Sequence, residues 1–159
     1  MSQRLEYFKQ SPKLAKAYLD FSTAMRGSIL EESLRNLVQI RASQMNGCSF
    51  CLDMHVKEAT IAGERALRLH HVAAWRESHL FSPRERAAFA WTETLTHLPR
   101  EGVSEAAYSA ALGHFSEAEL SDLTFAVIAI NGWNRLNAAF PQVPGSADSL
   151  YGLDRAGLS

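Results

Sequence analysis

Residues 37–64 of the chain read LVQIRASQMNGCSFCLDMHVKEATIAGE. Apolar residues recur at helical spacing in the first part of this stretch, which predicts a helix that ends at about Met45. Asn46 and Gly47 then interrupt the pattern, as residues typical of a helix C-terminus do. A second helix is predicted over about 48–62, so the two cysteines of the chain fall at its start.

The remaining sequence carries many helix signals and few strand signals. Ser-x-x-Glu pairs, which satisfy backbone donors at helix starts, begin at Ser28, Ser82 and Ser116. The predicted helices, counted with their caps, span about 11–27, 28–45, 48–62, 64–76, 82–97, 104–113 and 116–140. No alternating run of β-branched residues stands out. We therefore predict an all-α bundle of about seven or eight helices.

The length of the chain predicts one domain, 1–159. The segment of about 28–97, which holds both cysteines, is predicted to form the redox core. Pro141 and Pro144 are predicted to end the regular structure. The polar segment after them, about 145–159, is expected to be a C-terminal arm that packs on a neighbour or frays.

Charge and hydropathy argue against a nucleic-acid partner and against a membrane-spanning segment. Sixteen Lys and Arg residues against seventeen Asp and Glu residues give a net charge of −1, without the basic excess that a nucleic-acid footprint needs. The longest nearly apolar stretch, 123–133, is too short to span a bilayer. Residues 1–9 lack the pattern of a signal peptide. We expect a cytoplasmic protein with neither a nucleic-acid nor a membrane partner.

Three reactive side chains share one face of the helix that is predicted over about 48–62. Cys51 lies three residues after Cys48, and His55 lies four residues after Cys51, so all three project in similar directions at about 100° per residue. Cys48 falls in the first turn, where free N–H groups stabilise a thiolate. The spacing supplies a nucleophile, a second thiol that can condense with a sulfenic acid, and a base.

Other interpretations of these residues are open. Cys51 and His55 also fit buried side chains that never react. A structural zinc site needs four ligands, and the chain has only two cysteines and no paired metal spacing among its other histidines. A purely structural disulfide would close a very short loop and stabilise little. We expect neither a metal nor a cofactor.

Several motifs in combination resemble one known family. The run RASQ at 41–44, the NGC entry at 46–48 and the C-x-x-C-x-x-x-H pattern at 48–55 resemble the core of the alkylhydroperoxidase D family, within the carboxymuconolactone decarboxylase superfamily. The resemblance continues at 74–76, 82–96 and 131–137 and so covers most of the chain. It implies an all-α fold in homo-oligomers, trimers or hexamers, with active sites close to subunit contacts.

The resemblance also implies a peroxidase or disulfide-reductase activity. Carried over from the family, Cys51 is the buried thiol that attacks a hydroperoxide substrate, and the more exposed Cys48 forms the disulfide with it. His55 belongs to a proton relay. The reductant is an external dithiol, for which the family suggests a lipoyl-carrying protein.

One position departs from the family pattern. The family relay usually includes a Glu twelve residues before the first cysteine, and Asn36 occupies that position here. An amide orients a group but accepts no proton at neutral pH, so we expect slower peroxidase turnover than in a relative with the full relay. Three carboxylates are candidates to replace it, each with the alternative of a solvated charge or a salt bridge: Glu32, Glu58 and Glu93.

Three classes of function follow from these observations. The leading one is a thiol-dependent peroxidase or disulfide oxidoreductase in antioxidant defence. The second is lactone decarboxylation, the other chemistry of the superfamily, which does not need a C-x-x-C pair. The third is a non-enzymatic redox sensor, which would form the disulfide without catalytic cycling.

Overall fold

The computed structural model describes residues 4–158, and within this range the regular structure is entirely helical. The α-helices, numbered in chain order, are α1 (Tyr7–Gln10), α2 (Pro12–Ala24), α3 (Glu32–Asn46), α4 (Ser49–Ile61), α5 (Ala66–His71), α6 (Pro83–Thr96), α7 (Glu105–Leu112), α8 (Glu117–Ala139) and α9 (Asp148–Tyr151). Three short 3-10 turns accompany them: Met25–Gly27, Val72–Ala74 and Leu153–Ala156. The all-α prediction is confirmed.

The helix lengths agree with the predicted bundle. Seven helices have six or more residues, and α1 and α9 are single turns of four residues each. The α9 turn and the 3-10 turn after it correct the expectation that regular structure ends at Pro144. No helix of the described residues is long and apolar enough to cross a membrane. The trimer or hexamer that the resemblance implies stays a prediction.

Two of the predicted capping boxes form as expected. The Ser82 hydroxyl accepts a hydrogen bond from the Glu85 backbone N–H at 3.2 Å, and Glu85 Oε2 accepts one from the Ser82 N–H at 2.7 Å. Ser116 and Glu119 make the same reciprocal pair at 3.3 and 2.8 Å. Because these boxes satisfy the first backbone donors, α6 and α8 begin where the sequence predicts.

The capping box predicted at Ser28 is wrong. The Ser28 hydroxyl instead donates to Asp122 Oδ2 of α8 at 2.7 Å, and the helix begins at Glu32 with Glu31 as an N-cap that makes no side-chain hydrogen bond. The backbone N–H of Ile29 also donates to Asp122, at 3.1 Å. A carboxylate from a distant helix therefore engages the Ser28 hydroxyl that was predicted to cap α3, and a local sequence pattern does not show this partner.

Helix α3 runs through the centre of the bundle and contacts α4, α6 and α8. Its residues Leu37, Val38 and Ile40 have no exposed surface. Leu37 and Ile40 join an apolar cluster with α4, α5 and α6, whereas Val38 joins a second cluster with α6, α7 and α8. Burial of each such side chain contributes about 1.5–3 kcal/mol, so packing rather than helix propensity holds α3 in place.

The C-terminal end of α3 is fixed to α8 by asparagine side chains. Asn46 Nδ2 donates to Asn131 Oδ1 at 3.0 Å and to Asn134 Oδ1 at 2.9 Å. Asn134 Nδ2 in turn donates to the Ser43 hydroxyl at 3.2 Å. Since Asn131 and Asn134 are buried, these bonds satisfy amides that would otherwise be costly to bury.

The segment after Pro144 packs on α4 of the same chain. Lys57 Nζ contacts Asp148 Oδ2 at 2.6 Å and Asp53 Oδ2 at 3.0 Å, and the backbone N–H of Gly145 donates to Asp53 at 3.0 Å. The hydrogen bond to Asp148 is the main reason that the pKa of Lys57 is raised, so this buried ammonium stays charged. Residues 145–156 therefore dock on their own domain, where the sequence suggested an arm that packs on a neighbour or frays.

Helix α2 approaches α8 closely at Gly132. Tyr18 donates its hydroxyl proton to the carbonyl of Ala129 at 2.7 Å. A Cβ atom placed on Gly132 would lie 1.9 Å from the Tyr18 Oη and 2.5 Å from its Cζ. The absence of a side chain at this position is thus what allows the tyrosine ring to lie against α8.

We expect Gly132→Ala to destabilise the protein by about 1–3 kcal/mol, because the ring of Tyr18 must move and its hydrogen bond to Ala129 is lost. This loss outweighs the higher helix propensity of alanine. Urea unfolding followed by circular dichroism measures it. Gly27→Ala is the matched control, because no atom lies within 4 Å of its added Cβ. Equal midpoints for the two variants would contradict the prediction.

Candidate active site

A left-handed glycine places the first cysteine at the start of α4. Gly47 has φ 64°, a conformation that glycine adopts without a Cβ penalty, and the next N–H, that of Cys48, donates to the Ser43 carbonyl at 3.0 Å. Cys48 is the N-cap of α4, and its Sγ accepts a hydrogen bond from the Cys51 N–H at 3.2 Å. The sulfur therefore occupies the position where unpaired helix N–H groups stabilise a negative charge.

Cys48 and Cys51 form a disulfide with their Cα atoms 5.4 Å apart. Both residues are buried, Cys48 with 7% and Cys51 with 3% of its surface exposed. Cys51 lines a cavity of about 620 Å³, whereas Cys48 does not. Both cysteines belong to one small apolar cluster, which also contains Ala42, Phe50, Ile130 and Ala147. Cys51 is thus the cysteine of the pair that borders the cavity, although both are buried.

His55 lines the same cavity and pairs with a carboxylate of its own helix. Its Nδ1 lies 2.6 Å from Glu58 Oε2, three residues further along α4. Burial alone would raise the pKa of Glu58, but the hydrogen bond and charge of His55, with Arg26 nearby, hold it below its ordinary value. Glu58 is therefore ionised at neutral pH and favours the tautomer with a proton on Nδ1, which leaves Nε2 to accept a proton.

The structure brings two further predicted residues to this cavity. Asn36, on α3, is buried with 6% of its surface exposed and lines the cavity together with Cys51 and His55. Glu32, one turn earlier on α3, also lines the cavity but is exposed to solvent. Of the three candidate carboxylates, Glu58 is thus the one that hydrogen-bonds His55.

The third candidate carboxylate, Glu93, does not line this cavity. Its Oε1 accepts hydrogen bonds from Arg41 at 2.8 Å and from the indole N–H of Trp75 at 2.7 Å, and its Oε2 pairs with Arg76. Three donors, from α3 and from the loop before α6, therefore bind this carboxylate. Glu93 is a salt-bridge residue and does not replace the relay carboxylate at this cavity.

A residue outside the predicted site, Asn137, contacts the sulfur of Cys51. Asn137 Nδ2, on α8, lies 3.7 Å from Cys51 Sγ and donates to the Trp133 carbonyl at 3.1 Å. Asn131, Asn134 and Asn137 recur every third residue and so share one face of α8. Asn131 and Asn134 bond Asn46 of α3, whereas Asn137 contacts a cysteine of α4, and no local pattern indicates that contact.

The cavity is lined by both apolar and charged side chains. Apolar and aromatic side chains form much of the surface: Tyr7, Phe8, Phe50, Met54, Ile130, Trp133, Tyr151 and Leu153. Charged side chains also reach it, among them Arg26, Arg35 and Arg155. Within residues 4–158, no group of three or more His, Cys, Asp and Glu side chains lies close enough to hold a metal ion. The polar groups that line the cavity beside Cys51 include the imidazole of His55, the carboxylates of Glu32 and Glu58, and the amides of Asn36 and Asn137.

Comparison of the sequence gives one family match and two curated relatives. The model of the carboxymuconolactone decarboxylase family matches residues 12–94. The chain is 37% identical to the uncharacterised protein YdfG of Bacillus subtilis, over 87% of this chain and 95% of that protein. It is 36% identical to the uncharacterised protein YnjA of Escherichia coli, over 71% of this chain and 59% of that protein.

Two solved structures have folds similar to that of this chain. A protein of unknown function from Agrobacterium tumefaciens, whose description connects it with antioxidant defence and AhpD, superposes with a TM-score of 0.86 at 35% identity, over 90% of this chain and 98% of that one. A peroxidase-related protein from Ralstonia eutropha, described as an alkylhydroperoxidase AhpD core, gives a TM-score of 0.77 at 20% identity, over 87% and 74% of the two chains. The second likeness concerns the fold alone.

We expect Lys57→Met to loosen the docking of residues 145–156, which bring Ala147 into the apolar cluster of Cys48 and Cys51. The substitution leaves Asp53 and Asp148 facing each other without the buried cation, which destabilises docking of residues 145–156 and exposes Ala147 and the disulfide. Reduction of the disulfide by dithiothreitol should then be roughly tenfold faster at equal pH, since a loss of about 1.4 kcal/mol of docking suffices.

The reduction rate is measured by quenching with iodoacetamide and mass spectrometry. Lys16→Met is the control, because it removes an equal charge from an exposed ion pair with Asp20. Reduction of Lys57→Met at the rate of the control would contradict the role of the C-terminal segment in burying the disulfide.

Proposed function

Because the chain belongs to the carboxymuconolactone decarboxylase family, we propose that it is a thiol-dependent peroxidase that reduces hydroperoxides with electrons from Cys48 and Cys51. The observation that carries the proposal is that Cys51 opens onto a cavity, is bonded to Cys48 and shares that cavity with His55. The likeness to the Agrobacterium protein connected with antioxidant defence supports it.

The first step consumes the peroxide. In the reduced protein, the Cys51 thiolate attacks the terminal oxygen of the hydroperoxide ROOH, so an S–O bond forms and the O–O bond breaks. The RO⁻ group leaves and becomes the alcohol ROH on taking a proton. Cys51 is oxidised to a sulfenic acid, and the peroxide is reduced by two electrons.

The second step forms the disulfide. The Cys48 thiolate attacks the sulfur of the Cys51 sulfenic acid, so an S–S bond forms, and the hydroxide that leaves becomes water on protonation. The helix N-terminus that stabilises a thiolate at Cys48 favours this step. An external dithiol then reduces the disulfide and is itself oxidised, and we propose that a lipoyl-carrying protein supplies this dithiol. We further propose that the chain acts in the cytoplasm as a homo-oligomer.

His55 carries the protons in this proposal. Its Nε2 accepts the proton of the Cys51 thiol and returns a proton to RO⁻, while Nδ1 stays hydrogen-bonded to Glu58. Glu58 stabilises the imidazolium in between, so it supplies the carboxylate that Asn36 lacks. It does so from α4 itself, where the family pattern has its Glu on the preceding helix.

The first experiment measures consumption of cumene hydroperoxide with dihydrolipoamide as the reductant. We expect turnover by the wild type and none above background for Cys51→Ser. Without the dithiol, reduced Cys48→Ser should consume at most one equivalent, because its sulfenic acid has no second cysteine with which to condense. A double Cys48→Ser/Cys51→Ser variant that decarboxylates a lactone would instead support decarboxylation. A wild type that forms the disulfide with peroxide but does not turn over would support a redox sensor.

A second experiment tests the role of Glu58. We expect Glu58→Gln to slow oxidation of the reduced protein by roughly tenfold or more, because the imidazolium of His55 loses its counter-charge. Stopped-flow tryptophan fluorescence measures the rate. Glu64→Gln is the matched control, since it removes an equal charge from an ion pair with Arg68 outside the cavity. Equal rates in the two variants would show that Glu58 is not part of the relay.

A further inference from the structure

Three arginines reach the cavity of Cys51 from separate parts of the chain. Arg26 lies in the 3-10 turn that follows α2, Arg35 lies on α3, and Arg155 lies in the 3-10 turn near the C-terminus. A guanidinium keeps its positive charge at every physiological pH and carries five N–H donors. The fold therefore places three cationic side chains at the cavity that also holds His55.

None of these three arginines forms a salt bridge with a carboxylate of residues 4–158. Arg35 Nη1 donates to the Leu30 carbonyl at 2.5 Å, Arg155 Nε donates to the Gly152 carbonyl at 3.0 Å, and the charge of Arg26 reaches Glu58 only at longer range. Carboxylates do pair with four other arginines: Arg41, Arg68, Arg76 and Arg84. The guanidiniums at the cavity thus keep N–H donors available for a ligand.

The carboxylates of the cavity offset only part of this positive charge. Glu32 and Glu58 line the same cavity; Glu58 is hydrogen-bonded to His55, and Glu32 is exposed to solvent. Three guanidiniums against two carboxylates leave a net charge of +1 on the lining, apart from His55, whereas the whole chain carries −1. A site with one surplus positive charge favours a ligand with one negative charge.

Aromatic side chains supply the rest of the cavity wall that a ligand meets. Phe8, Phe50, Trp133 and Tyr151 all line the cavity. Its volume of about 620 Å³ lies within the roughly 300–1,000 Å³ that is typical of small-molecule sites. Aromatic walls gain free energy when they bury an apolar or aromatic group. The cavity therefore combines surface for an apolar body with donors for one anionic group.

We propose that the cavity of Cys51 binds an organic carboxylate, a monoanion whose apolar body lies against the aromatic wall and whose carboxylate binds Arg26, Arg35 or Arg155. Two parallel N–H groups of a guanidinium match the two oxygens of a carboxylate. A phosphate monoester carries a charge of about −1.5 to −2 at neutral pH, which exceeds the surplus charge of the cavity. This inference goes beyond the proposed function, because it concerns which ligands reach Cys51 and does not require that Cys51 reduces a peroxide.

The first test measures binding to the oxidised full-length protein by isothermal titration calorimetry. The probes share one apolar body and differ in charge: 4-phenylbutyrate, 4-phenylbutanol, 4-phenylbutylamine and 4-phenylbutyl phosphate. We expect the carboxylate to bind roughly tenfold more tightly than the alcohol, since one charge-assisted hydrogen-bonded pair is of that size, and more tightly than the amine and the phosphate. An increase of NaCl from about 50 to about 500 mM should weaken carboxylate binding and leave alcohol binding nearly unchanged.

Variants of the arginines identify the group that binds the anion. We expect Arg26→Gln and Arg155→Gln each to reduce the affinity ratio of carboxylate to alcohol, and the double variant to bring it to about one. The affinity for the alcohol should stay within about twofold, which shows that the cavity is intact. Arg100→Gln is the matched control, because it removes an equal charge from an exposed side chain outside the cavity.

Protection of Cys51 locates the bound carboxylate. In reduced Cys48→Ser, Cys51 is the one remaining thiol, and mass spectrometry follows its alkylation by uncharged iodoacetamide. Saturating 4-phenylbutyrate should slow this alkylation about fivefold or more, because the ligand occupies the cavity that Cys51 lines. The arginine double variant should lose the protection at the same carboxylate concentration.

Each result supports or overturns the proposal. Carboxylate that binds no more tightly than the alcohol, or that binds without protecting Cys51, would overturn it. An affinity ratio that stays at the level of Arg100→Gln in the double variant would overturn the assignment to the arginines, and tighter binding of the phosphate would overturn the choice of a monoanion. Absence of turnover with hydroperoxides would contradict the peroxidase function alone, because the calorimetry uses no peroxide.

Discussion

The hydrogen bonds from Asn46 to Asn131 and Asn134 determine where the reactive sulfurs lie. They fix the end of α3 to the middle of α8, and the left-handed turn at Gly47 then starts α4 immediately beyond that point. Because α3 is buried between α4, α6 and α8, the turn has little freedom to move. The cysteine pair therefore begins a helix whose position is set by the most buried part of the fold.

The same arrangement gives the two cysteines different roles in the proposed cycle. Cys51 points to the cavity, and the Asn137 amide of α8 meets it there. Ala147, from the segment that Lys57 holds on α4, belongs to the apolar cluster that contains both cysteines. In the proposed cycle, the cavity is the route by which a peroxide reaches Cys51, and the ion-paired segment helps to bury the disulfide.

Local patterns predicted most of the bundle and the core of the site. The turn at Gly47, the capping boxes of α6 and α8, and the shared face of Cys51 and His55 all depend on residues at most four positions apart. The pairing of His55 with Glu58 is also local, although the sequence left Glu58 as one of three candidates. Helical spacing alone brings such residues together, which is why the sequence is informative about them.

Contacts between distant segments account for what the sequence could not predict. Asn137 is separated from Cys51 by 86 positions, and Ser28 meets an acceptor 94 positions away. The docking of Asp148 on Lys57 is of the same kind. In each case a polar side chain finds its partner only after the helices have packed, and no local pattern specifies the choice.

The stoichiometry of a single turnover decides whether the chain is a thiol-dependent peroxidase. Fully reduced protein is mixed with an equal amount of cumene hydroperoxide, and the alcohol product and the remaining thiols are both quantified. We expect one alcohol and one Cys48–Cys51 disulfide to form per chain, with a mass loss of the two thiol hydrogens, if the protein is such a peroxidase. Thiols that remain reduced while the peroxide persists, or peroxide that disappears without loss of thiols, would contradict it.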